Sequence, residues 1–213
     1  MTNEVLVVDD HPVVLRGFRT LMESACIGTV HEASDVVSAY RFFHRHRPAT
    51  VVCDLTFRES GLAGLSLIRR IRALEHHARI LAFSMHADPV IVARALESGA
   101  LGYVRKDVPS ATFLDAFAAV HAGYGYLEHD LATAVAMLTT AARRSPLADL
   151  NARELQILSL LSRGRSYQDV ADTLSVSYRT VIGACSNLRR KLGVRSLAEL
   201  LRVAIAQGVT DLR

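Results

Sequence analysis

The sequence predicts two folds in one chain: an α/β domain with a doubly wound, five-stranded parallel sheet over residues 1–122, followed by a small all-α domain over residues 147–213. Three observations predict it. Short β-branched runs that stop at acidic residues alternate with helical apolar periodicity through the first half. From Asn151 onward only short helices are legible, punctuated by Gly164, Ser175 and Gly193. The charge is also divided unequally: residues 1–122 hold 13 Lys/Arg and 13 Asp/Glu, whereas residues 143–213 hold 12 against 6.

Glu4–Val8 and Thr50–Cys53 are continuous apolar runs of the kind that fill the centre of a parallel sheet. Between them Val14, Phe18, Leu21, Met22 and Ala25 recur at helical spacing, Thr29–Ala33 can pair as a strand, and Val36, Val37, Tyr40 and Phe43 mark a second helix. The alternation continues with a helix over Leu65–Leu74, a strand Arg79–Ser84, a helix Pro89–Glu97 stopped by Gly99, a strand Leu101–Arg105 and a helix Ser110–Ala122. Gly123-Tyr-Gly-Tyr126 breaks the pattern, and Asp130–Ala142 reads as the helical part of a linker over 123–146. The start lacks a basic leader, and no apolar run approaches the ~20 residues that span a bilayer, so a cytoplasmic protein without a membrane partner is expected. Cys26, Cys53 and Cys185 show no metal-ligand spacing and are expected to be reduced thiols.

Three acids end strands that are neighbours in this topology: Asp9 and Asp10 after the first, Asp54 after the third. Crowded carboxylates repel and raise one another's pKa unless a cation neutralises them, and hard oxygen ligands of this kind suit Mg²⁺. Ser84 ends the fourth strand and Lys106 follows the fifth, adding a hydroxyl donor and a cation to the same rim. A metal, a lysine and a hydroxyl around one carboxylate are the parts that stabilise a phosphoryl group moving onto it. Each acid taken singly is equally readable as a strand-end cap.

Val-Val-Asp9-Asp10-His-Pro, Asp54-Leu, Phe-Ser84-Met and Gly99-Ala-Leu-Gly-Tyr103-Val-Arg-Lys106 together resemble the receiver domain of two-component response regulators, over roughly residues 1–122. The resemblance implies that Asp54 is the phosphoacceptor, Asp10 a direct Mg²⁺ ligand, Asp9 an acid acting through water and Thr56 a main-chain carbonyl ligand. It further implies that Ser84 and Lys106 hold the phosphoryl oxygens, and that Tyr103 is a switch aromatic whose ring moves inward with Ser84. His11 reads as a helix-start residue rather than a ligand. One stretch departs from the family pattern: Asp54-Leu-Thr-Phe-Arg-Glu-Ser-Gly-Leu-Ala-Gly lacks the usual Met-Pro and is two residues longer. Arg58 and Glu59 in it either alter access to Asp54 or simply face water.

In the second half, Leu150, Leu155, Leu158 and Leu161 form an apolar face behind Asn151, a helix cap with Glu154 three residues on. Gly164 stops this helix, Ser166 caps the next, which buries Val170, Ala171 and Leu174, and Ser175–Ser177 turns the chain. Val181, Cys185, Leu188 and Leu192 then line one side of a longer helix, leaving Arg179, Thr180, Gly183, Ser186, Asn187 and Arg190 for other faces. Between Leu174 and Ala198 stand five basic residues and no acid, the pattern of a helix lying in a DNA major groove. Arg179 and Asn187 suit base edges, with Thr180 beside them, and Arg189, Arg190 and Lys191 suit phosphates.

Leu150-Asn-Ala-Arg-Glu154, Leu174-Ser-Val-Ser177, Thr180-Val181 and Arg190-Lys191-Leu-Gly193-Val resemble the LuxR-type helix-turn-helix of NarL-like regulators, over residues 147–208. That family usually has Lys after Thr-Val and His two positions later, where this chain has Ile182 and Ala184. The final helix, with Leu197, Leu200, Leu201, Val203, Ala204 and Ile205, resembles the family's dimer-forming helix. The combined resemblance implies a DNA-binding transcriptional regulator charged at Asp54 by a partner histidine kinase and acting as a homodimer, with Arg16, Arg19 and Asp115 on a receiver interface. A phosphorylation-independent DNA-binding or interaction protein with an atypical receiver is the alternative. A phosphate-ester hydrolase is disfavoured, because Leu55 and Thr56 stand where such enzymes carry a second acid.

Overall fold

The computed structural model describes residues 4–138 and 145–209, in two compact units. The first comprises the chain up to Phe57, Ala63–Met85 and Ala95–His129; the second comprises Arg58–Leu62, His86–Arg94 and the chain from Asp130. The end of the expected linker helix, 139–142, and the Arg143-Arg144 pair lie outside the described residues.

The first unit is a parallel sheet in the order β2-β1-β3-β4-β5-β6, made of β1 (Glu4–Val8), β2 (Thr29–Ala33), β3 (Thr50–Cys53), β4 (Arg79–Ser84), β5 (Gly102–Arg105) and β6 (Tyr126–Leu127). The helices α1 (Pro12–Ser24), α2 (Val36–His46), α3 (Ala63–Leu74), α4 (Pro89–Glu97) and α5 (Ser110–His121) follow the first five strands in turn, with Pro89–Arg94 of α4 grouping with the second unit. Every expected strand and helix of the first half is present. Side chains alternate across the sheet: Val5, Val7, Val52, Leu81 and Val104 pack with Leu15, Phe18 and Met22 of α1 and with Phe113, Ala116, Phe117 and Val120 of α5. Leu6, Val51, Ile80 and Tyr103 are equally buried on the opposite side, which is why these strands read as unbroken apolar runs.

The sheet has six strands where the sequence predicts five. Gly123, at φ +90, turns the chain back after α5, so that Tyr126 and Leu127 pair with Gly102 and Tyr103. A Cβ on Gly102 would stand 2.7 Å from the Val120 side chain and 3.1 Å from the Tyr126 carbonyl, so glycine there lets the added strand close. Two residues carry no periodicity, which is why this strand is invisible in the sequence. The chain leaves β1 towards β2 on one side and reaches β3 on the other. This reversal opens a crevice at the carboxyl ends of β1 and β3, where doubly wound sheets bind ligands.

The second unit contains α6 (His129–Met137), α7 (Ala152–Ser162), α8 (Tyr167–Leu174), α9 (Tyr178–Leu192) and α10 (Leu197–Ala206). Leu150, Leu155, Leu158 and Leu161 are buried as expected, and so are Gln156, Ile157, Ser159 and Leu160, so α7 is enclosed well beyond one apolar face. Asn151 accepts the Glu154 N–H at 2.9 Å while the Glu154 carboxylate accepts the Asn151 N–H at 2.9 Å, a complete capping box. Asn151→Ala removes one half of it and is expected to cost about 1 kcal/mol, read as a lower thermal midpoint, with Asn151→Ser close to wild type.

Candidate functional site

Backbone hydrogen bonding sets the acids at the switch point. Asp9 N–H donates to the Ala33 carbonyl at 3.1 Å, and Asp54 N–H donates to the Val8 carbonyl at 2.9 Å, so each strand extends its ladder just far enough to deliver a carboxylate to the rim. Lys106 N–H donates to the Ser84 carbonyl at 3.0 Å, bringing the ends of β4 and β5 alongside. Asp9, Asp54, Thr56, Ser84 and Tyr103 are all buried.

One ammonium serves two carboxylates: Lys106 Nζ lies 2.6 Å from Asp9 Oδ2 and 2.9 Å from Asp54 Oδ2. Burial pushes Asp54 up from 3.8 to about 7; Lys106 opposes the rise and Asp9 adds to it. Burial alone would lower the Lys106 pKa, but Asp54 and Asp9 together raise it. Burial likewise raises the neighbouring Cys53 thiol well above its ordinary value, leaving it an uncharged core side chain. Because the Asp54 value is raised, the folded chain keeps a proton that the unfolded chain has lost between pH 3.8 and about 7. This group's contribution to stability therefore falls as pH rises through that window and is constant above it.

Ligand atoms of Asp9, Asp10, His11 and Asp54 all lie within 4.8 Å of one another, a group able to hold a metal ion. His11 is the N-cap of α1, as expected of a helix-start residue, and Pro12 opens the helix. The ring does more: its Nδ1 stands 3.1 Å from Asp9 Oδ1 and 3.0 Å from Asp10 Oδ1, and its backbone N–H donates to Asp9 Oδ1 at 2.8 Å. Thr56 N–H donates to Asp54 Oδ1 at 3.1 Å. Arg58 and Glu59 are exposed, and their segment groups with the second unit.

Sequence reasoning missed Gly64. Its N–H donates to the Leu55 carbonyl at 3.0 Å, and a Cβ there would sit 2.1 Å from the Asp54 carbonyl oxygen and 2.5 Å from Leu55 Cα. The first turn of α3 thus lies directly against the backbone that carries Asp54. Spacing along the chain contains no trace of this approach.

In the second unit, Ser177 caps α9 by accepting the Thr180 N–H at 3.1 Å, and its hydroxyl bonds that of Thr180 at 2.8 Å. Val181, Cys185 and Leu188 are buried, while Arg179, Thr180, Asn187 and Arg190 are exposed and Arg189 is partly so. Lys191 differs from these: its Nζ lies 2.7 Å from Glu154 Oε2 and 2.9 Å from the Asp149 carbonyl, bracing α9 against the start of α7. No helix among the described residues is long and apolar enough to cross a membrane.

Residues 5–118 match the family described as response regulator receiver domain, and residues 148–204 match bacterial regulatory proteins of the luxR family. The chain is 35% identical over 198 residues to the methanol utilization control regulatory protein MoxX of Paracoccus denitrificans, covering 93% of this chain and 89% of that one. It is 32% identical over 209 residues to the transcriptional activator protein ExaE of Pseudomonas putida, covering 96% and 97%. Among solved structures, RcsB of Salmonella enterica serovar Typhimurium, bound to promoter P1flhDC in the presence of phosphomimetic BeF3-, superposes with a TM-score of 0.76. At 22% identity, over 97% of this chain and 100% of that one, this likeness speaks for the fold alone. With both families matched in order, and relatives aligned over nearly its whole length, the chain belongs to the response regulators that join a receiver domain to a LuxR-type DNA-binding domain.

Proposed function

We propose that Asp54 accepts a phosphoryl group from a histidine kinase or a small phosphodonor in the cytoplasm, and that this modification sets the affinity of the chain for DNA as a homodimer. The observation that carries this reading is the single ammonium of Lys106 shared by two buried carboxylates, one of them held near neutrality. A carboxylate oxygen of Asp54 attacks phosphorus, and the bond from phosphorus to the donor oxygen or nitrogen breaks. Asp54 then carries the charge on phosphoryl oxygens, and Lys106 exchanges its carboxylate contact for one of them. Ser84, at the end of β4, donates its hydroxyl to another. Tyr103 is fully buried, and its part as the switch aromatic is what the resemblance implies.

The donor set fits Mg²⁺. It offers hard oxygen ligands from Asp9, Asp10 and Asp54, together with the proposed Thr56 main-chain carbonyl. When bound, the cation neutralises charge gathering on the transferred group. Proton and cation compete for Asp54, so the stabilisation produced by added Mg²⁺ is expected to be larger at about pH 8 than at about pH 6. Thermal melts with and without Mg²⁺ at the two pH values check this; equal shifts would contradict it.

The proposed DNA-facing set is Arg179, Thr180 and Asn187 towards bases, with Arg189 and Arg190 towards phosphates; Lys191 acts through the brace it forms with Glu154. A tenfold gain in DNA affinity requires the phosphoryl group to favour the binding-competent state by about 1.4 kcal/mol. The test is the dissociation constant for a duplex at fixed salt, before and after phosphodonor treatment. A tighter complex only after treatment supports the switch, whereas equal binding favours phosphorylation-independent recognition.

A further inference from the structure

Resting on the DNA-binding reading above, we propose that Ile182 reads sequence by packing against the C5 methyl group of a thymine in the major groove. On α9, Arg179, Ile182, Gly183, Ser186, Asn187 and Arg190 follow at intervals of three, one, three, one and three residues, a single stripe opposite the buried Val181, Cys185 and Leu188. All six are exposed. Arginines close the stripe at both ends, and Ile182 is its one aliphatic side chain, 42% exposed. On this otherwise polar face Ile182 is the one side chain that gains by meeting an apolar group rather than a hydrogen-bonding one.

The neighbour on the stripe is Gly183, where an added Cβ would meet nothing within 4 Å. Glycine inside a helix costs about 1 kcal/mol relative to alanine, and no close contact among the described residues requires it here. Its effect is to leave the helix surface bare beside Ile182, so that a base edge can approach. Of the four bases, only thymine presents an apolar group in the major groove. Ile182 lies one turn from Arg179 and one turn from Ser186, so the thymine it covers stands between bases or phosphates reached by polar side chains.

The test begins with the full chain, treated with acetyl phosphate and Mg²⁺, enriching a preferred duplex from a randomised pool. Each thymine of that duplex is then replaced in turn by deoxyuridine, which keeps every hydrogen-bonding group and lacks only the methyl. Wild type is expected to lose about fourfold in affinity at one thymine per half-site, the worth of one buried methyl group. Ile182→Ala should bind the original duplex more weakly by a similar factor and be indifferent to deoxyuridine at that one position. Wild type that binds its duplex tightly but tolerates deoxyuridine everywhere overturns the inference and leaves the DNA-binding reading standing. Equal losses in wild type and Ile182→Ala also overturn it, and failure to enrich any duplex overturns both.

Discussion

Asp54→Asn, treated with acetyl phosphate and Mg²⁺, is expected to take up no phosphoryl group, and its affinity for DNA is expected to stay at the unphosphorylated level whatever phosphodonor is added. Labelling should fall by about a hundredfold or more, because the attacking oxygen itself is gone. The same variant is expected to melt higher than wild type near neutral pH. Burial raises the Asp54 pKa to about 7, so its ionised form is disfavoured in the folded chain and an uncharged isostere removes that cost. Asn keeps an acceptor for the Thr56 N–H and frees Lys106 to pair with Asp9 alone at 2.6 Å. A gain of about 1–2 kcal/mol would be ordinary for relieving a desolvated acid. Loss of labelling together with raised stability separates loss of the acceptor from loss of the fold. Retained labelling would move the phosphoacceptor elsewhere.

Gly64→Ala is expected to be the most damaging small substitution in the first unit. The new Cβ would fall 2.1 Å from the Asp54 carbonyl oxygen and 2.5 Å from Leu55 Cα, and both are backbone atoms that no rotamer change can move aside. Either α3 lifts away or the segment carrying Asp54 shifts, at about 2–4 kcal/mol by the usual scale of overpacking in a dense core. Phosphoryl labelling should drop even in the fraction that folds, since Asp54 must leave its place relative to Lys106. Gly17→Ala supplies the contrast: that glycine sits within α1 with nothing within 4 Å of the added Cβ, so alanine should be neutral or stabilising by up to about 1 kcal/mol. Urea melts of the two variants should diverge accordingly. Indistinguishable midpoints would mean that the backbone near Asp54 yields more easily than its geometry implies.

Strands β1 and β3 are legible because buried parallel strands must be apolar on both faces, and their terminal acids stand out against that run. Convergence of Asp9 and Asp54 then follows from topology alone, as does the nearness of Ser84 and Lys106. Residues 179–190 are legible for a similar reason: three buried positions at helical spacing fix which side of α9 faces water. Close approaches between segments distant in sequence have no such periodic signature. Gly64 against the Asp54 backbone, the His11 ring against two carboxylates, β6 beside β5, and Lys191 on Glu154 all depend on packing rather than pattern.

The acid held at the end of β3, Asp54, is the proposed group that receives phosphate. Borohydride reduces an aspartyl phosphate to homoserine, which survives proteolysis and peptide mapping. After acetyl phosphate and Mg²⁺ treatment of the wild-type chain, the mapped peptide should carry homoserine in place of Asp54 and unchanged acids at Asp9 and Asp10. Homoserine at another acid, or none at all from a chain that still binds its DNA, would contradict the phosphoacceptor site and with it the switch.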